Sequence, residues 1–95
     1  MAYSSEYYRD LASRLMALRV VFSTCTEDRR YVELFDEFLA VNELELALHQ
    51  VCDFLNEPTT PDPSDAVLDQ IRGLHATMEL NDDCVEKLTT KVEGG

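Results

Sequence analysis

Tryptophan is absent, and glycine and proline number only three each in 95 residues. Their scarcity argues against a disordered chain, and a 45% hydrophobic composition is enough for a globular fold. Long apolar runs are missing too. The most apolar stretch, "LMALRVVF", is short and interrupted by Arg19, so neither an export signal nor a membrane span is expected. Positive charge is scarce: eight Lys and Arg face nineteen Asp and Glu, for a net charge of −11. That balance argues against gripping nucleic-acid phosphates or an anionic membrane surface. Cysteines number three, Cys25, Cys52 and Cys84, with no Cys-x-x-Cys. An odd set of this kind reads as reduced thiols in a cytoplasmic protein, with Cys52 and Cys84 as small core residues. No Gly-rich phosphate loop and no G-x-S-x-G occur, and there are only two histidines. No catalytic residue, cofactor or metal is expected, and the chain does not read as an enzyme.

What is present is helical periodicity, with no alternating strand pattern. Ser4 or Ser5 caps a first helix running to about Phe22, whose buried face is Tyr8, Leu11, Leu15, Leu18 and Phe22. Asp10 and Arg14 form a favourable i,i+4 pair on its outer side. "STCTED" breaks this helix, and Thr26 caps a second running from Glu27 to about Ala40, with Tyr31, Leu34, Phe35 and Phe38 inward. Asn42 and Glu45 have the spacing of a capping box at the start of a third helix, whose core stripe is Leu44, Ala47, Leu48, Val51 and Leu55. All three prolines lie in "NEPTTPDPSD", a stiff loop over 56–63 that stops the third helix near Asn56. Ser64 caps a fourth helix with Val67, Ile71, Leu74 and Met78 inward, Leu68 and His75 beside them, and Gly73 a weak point within it. "NDDC" stops it and starts a short fifth helix with Val85, Leu88 and Val92 inward. Residues 1–95 therefore form one all-α domain, a compact antiparallel bundle of four helices with room for a short fifth at the C-terminus.

Charge is unevenly spread. Residues 1–26 carry two acids and three bases, residues 27–63 ten acids and two bases, and residues 64–95 seven acids and three bases. The middle third thus holds most of the negative charge, as a solvated face or as a surface for a basic partner. On the second helix Glu33, Asp36, Glu37 and Ala40 share a face, and on the third Glu43, Leu46, Gln50 and Asp53 share one opposite the core. Leu46 is apolar among acids, as in an interface centre with a charged rim. His49, Cys52 and Asp53 have metal-ligand chemistry and helical proximity, but no second segment completes a ligand set.

The stretch "FDEFLAVNELELALHQVCDFLNE" resembles the N-E-[hydrophobic]-E-L-A-L-x-x-[hydrophobic]-C-D-x-L-x-E segment of MafI-type immunity proteins. Related small helical immunity proteins occur in contact-dependent inhibition and other polymorphic toxin systems. The matching residues are Asn42, Glu43, Glu45, Leu46, Ala47, Leu48, Cys52, Asp53, Leu55 and Glu57, about a quarter of the chain. The resemblance implies a cytoplasmic helical protein that neutralises a cognate toxin C-terminal domain, often a nuclease, by binding it. An acidic inhibitor fits the basic cleft of such a nuclease. Asp36, Glu37, Glu43, Glu45, Leu46 and Asp53 are the expected contacts. The alternative is a helical adaptor or a homo-oligomer formed through an apolar helix face.

Overall fold

Ser4 opens the first helix as expected, its Oγ accepting the Tyr7 amide at 3.1 Å. In the computed structural model, which describes residues 4–24 and 29–94, α1 spans Ser5–Leu18. It passes into a 3₁₀ segment, Arg19–Thr24, where an α-helix to Phe22 was expected. Ser23 and Thr24 donate their hydroxyls to the Val20 and Val21 carbonyls, diverting acceptors that a continuing α-helix would use. Val21 and Phe22 are nonetheless buried. Tyr8 is not part of the inward face: it is 38% exposed, and Tyr7 packs against the core in its place. Either tyrosine fits one turn before Leu11, but only Tyr7 donates its hydroxyl to the Thr77 carbonyl, at 3.1 Å.

Helix α2 spans Arg30–Ala40. The Thr26 cap lies outside the described residues. Val32 and Phe35 are its buried residues, whereas Leu34, expected inward, is 40% exposed. Phe35 is fully buried and fixes the inward direction; Val32 lies three residues from it, while Leu34 is its immediate neighbour and points round the helix.

The capping box at Asn42 does not form. Asn42 has φ 61°, its amide bonds to the Leu39 carbonyl, and the Glu43 amide bonds to the Phe38 carbonyl at 2.8 Å. This pair of reversed bonds is a Schellman ending for α2, with asparagine at the left-handed position. Asn42 therefore terminates one helix instead of opening the next, and the N-cap of α3 is Glu43, with no side-chain capping bond.

Helix α3, Leu44–Leu55, is the centre of the fold. The expected stripe is buried in full, and Cys52 and Phe54 join it. α3 packs against α1, α2 and α5 and against the 3₁₀ segment. Phe22 sits between Phe35 and Phe54, with ring centroids 5.3 and 5.1 Å away. Helix α4, Asp65–Thr77, starts at Ser64, whose Oγ accepts the Val67 amide, and packs its Leu68, Ile71 and Leu74 inward between α1 and α5. A second Schellman ending, with Glu79 at φ 55° and the Leu80 amide bonded to the His75 carbonyl, turns the chain toward α5, Cys84–Gly94. The fifth helix is present, anchored by Cys84 and Leu88, with Val85 and Val92 half-buried. No strand occurs among the described residues.

One expectation about the thiols fails. Cys52 on α3 and Cys84 at the start of α5 are joined as a disulfide, their Cα atoms 5.9 Å apart. The two lie 32 residues apart in sequence, and the docking of α5 on α3 brings them together.

Candidate partner surface and the Asp82 cluster

The acids of α2 and α3 do face water. Glu33, Glu37, Glu43, Glu45 and Asp53 are exposed, and Leu46 is 40% exposed among them. The predicted contacts do not all converge. Glu43 and Glu45 line one groove with Tyr7, Tyr8, Met78 and Leu80, where the α2–α3 turn meets the start of α1 and the end of α4. Asp36 lines a different recess with Ala12, Met16, Leu39 and Ala40, between α1 and α2. Asp53 lines a third, beside His49 and the start of α5.

Asp36 is also committed within the fold. Arg19 Nε and Nη2 each donate to its carboxylate at 2.8 Å, a two-pronged pair. This hydrogen bond from Arg19 holds the Asp36 carboxyl below the ordinary range, against the opposing effect of desolvation. Both side chains are nearly half exposed, so the pair contributes little stability. It does remove Asp36 from the acids that are free to meet a partner. Arg19 was visible in the sequence, but nothing there connected the end of the first helix to the middle of the second.

A dense polar cluster centres on Asp82, which sequence reasoning treated only as a helix stop. His49 Nε2 lies 2.8 Å from Asp82 Oδ2, His75 Nε2 lies 3.0 Å from Oδ1, and the Cys84 amide donates to Oδ1 at 3.0 Å. Burial raises the Asp82 pKa, but the hydrogen bonds from His49, Cys84 and His75 together outweigh it and bring the carboxyl down to about 2. Asp82 is therefore an anion at neutral pH and accepts from both rings, so each Nε2 carries its hydrogen. His75, expected beside the inward stripe of the fourth helix, is half-buried with its ring nitrogen bonded to Asp82. The sequence grouping of His49, Cys52 and Asp53 dissolves, since Cys52 is spent in the disulfide. Glu45, His49 and Asp82 instead bring ligand-type atoms within 4.8 Å of one another.

Two further polar contacts tie the proline-rich loop to the body. Tyr31 donates its hydroxyl to the Glu57 carboxylate. Lys91 Nζ donates to the Leu55, Glu57 and Thr60 carbonyls from α5, within 3.9 Å of Asp62. Among the described residues no helix is long and apolar enough to cross a membrane. Comparison of the chain with protein-family models, with curated proteins and with solved structures finds no match.

Proposed function

We propose that this chain is an immunity-type inhibitor that binds a basic, nuclease-like toxin domain one-to-one and neutralises it. The observation that carries this reading is the segregation of charge: residues 27–63 hold ten acids against two bases. Their exposed members include Glu37, Glu43, Glu45 and Asp53, with Leu46 presented among them. A field of one sign on a helical scaffold accelerates encounter with a basic surface and disfavours acidic ones. An exposed leucine with an acidic surround supplies the apolar contact that rim charges alone do not. The resemblance of Asn42–Glu57 to the MafI-type segment points the same way.

The test is to read the gene neighbouring this chain's own for a toxin with a basic C-terminal domain and to co-express that domain with this chain. Growth is restored by the wild type and lost with a Glu37→Lys, Glu43→Lys, Asp53→Lys triple variant that keeps its helical circular dichroism. Asp36 is left unchanged because Arg19 holds it. The association rate falls steeply as salt rises. Failure of the wild type to protect, or full protection by the folded triple variant, sinks the reading. A homodimeric or adaptor module is the second reading, and it draws on the recess where Met16, 52% exposed, lies beside Ala12 and Leu39. A monomer at every concentration in sedimentation equilibrium removes the homodimer.

A further inference from the structure

The chain has two histidines, one on α3 and one on α4, and both aim Nε2 at a single carboxylate in the turn before α5. Glu45 stands one helical turn before His49 on the same side of α3, and its carboxylate completes a triangle with His49 and Asp82 whose atoms lie within 4.8 Å of one another. We propose that Glu45, His49 and Asp82 bind a divalent transition ion of the zinc class, with His75 as the positioning residue that holds the second oxygen of Asp82.

The donor set is one imidazole nitrogen and two carboxylate oxygens, which suits zinc with water as a fourth ligand. Magnesium and calcium prefer six or more oxygens and gain little from an imidazole. Ligand atoms around a tetrahedral ion at about 2.0–2.2 Å sit roughly 3.3 Å apart. His49 and Asp82 are already closer than that, at 2.8 Å. Glu45 is exposed, so rotation of its side chain closes the remaining gap without moving the backbone. His49 and Asp82 are about a third exposed, at 31% and 28%, so an ion has a way in. Asp53, Asp83 and Lys87 line the recess beside His49 and Asp82, and Lys87 offsets Asp83 at 3.5 Å, so the added negative field comes from Asp53. On binding, the Nε2 proton of His49 is released to solvent and the ion takes its place, while Nδ1 takes up a proton from water so that the ring stays neutral in its other tautomer. His75 then acts as the outer hydrogen-bond donor that ligating carboxylates commonly have. The ion would join α3 to the turn that leads into α5.

The test is calorimetric titration of zinc chloride into the untagged chain carrying Cys25→Ser, with no reductant present. The expected result is one ion per chain, unaffected by millimolar magnesium. Glu45→Gln and His49→Gln weaken it at least tenfold. His75→Gln weakens it roughly 10- to 100-fold but keeps the stoichiometry. In nitrogen-15 spectra the His49 ring signals shift on adding zinc. Because Glu45 is exposed, its variant keeps the fold and circular dichroism confirms it, so the test survives if a buried variant unfolds. Three results overturn the proposal: no zinc binding by the parent chain, parental affinity in folded Glu45→Gln and His49→Gln, or binding that begins only after reduction, which would place the ion on the sulfurs.

Discussion

Tyr31 and Gly73 show how much a single residue's surroundings decide. The hydrogen bond to Glu57, aided by burial, pushes the Tyr31 hydroxyl up to about 12. Its folded pKa lies above the unfolded value near 10, so its contribution to stability is complete below pH 10 and is lost as pH rises toward 12. Absorbance titration of the tyrosines should therefore show one late-ionising group that disappears in Tyr31→Phe, a variant expected to lose about 1 kcal/mol at neutral pH. Gly73 lies within α4, where glycine is a poor helix former. A Cβ there would come 3.0 Å from Arg14 Nη2, the far end of a flexible side chain already drawn toward Asp10. Arg14 can give way, so Gly73→Ala should stabilise the protein by about 0.5–1 kcal/mol in urea denaturation.

At the scale of elements, the turn between α2 and α3 depends on Asn42 at φ 61°. Asparagine tolerates this conformation better than most residues, and glycine best of all. Asn42→Gly should leave stability unchanged or slightly raised, while Asn42→Ala should lower it by about 1 kcal/mol, a ranking that thermal unfolding can read. The other end of α3 is held by Lys91, whose ammonium takes the Leu55 carbonyl and two carbonyls of the proline-rich loop. A cation there also meets the negative end of the helix dipole. Lys91→Met keeps the stem and removes the donor, leaving those carbonyls without it. A loss of about 2 kcal/mol is expected, with amide exchange rising first in residues 56–63.

For the whole molecule, the joining of α3 to α5 is the decisive feature. Leu48, Val51 and Leu88 are fully buried at the heart of the core, and Cys52 is bonded to Cys84 close by. Closing a loop of 32 residues restricts the unfolded chain enough to stabilise the fold by about 3–4 kcal/mol in the chain-entropy account. Cys84→Ser, or reduction of the parent chain, should lower the urea midpoint by a corresponding amount. Peptide mapping without reductant should recover Cys52 linked to Cys84. The same docking brings Asp82 to His49, so loosening α5 should also disturb the ring signals of that histidine.

The sequence by itself determined that five α-helices form, the serine caps of α1 and α4, the proline-rich stop and the core stripe of α3 apart from Phe54, because these depend on spacing and on neighbours a few residues away. It also determined that acids outnumber bases most heavily between residues 27 and 63. Finer choices were decided by packing. Tyr7 over Tyr8 followed a carbonyl at the end of α4, and Val32 over Leu34 followed the direction of Phe35. Asn42 fits a capping box or a Schellman turn equally well by local spacing, and the way α2 ends against α3 selected the turn. The pairs Arg19–Asp36, Cys52–Cys84, His49–Asp82 and Tyr31–Glu57 join residues 17 to 33 apart in the chain. No periodicity links such positions; only the tertiary structure brings them into contact.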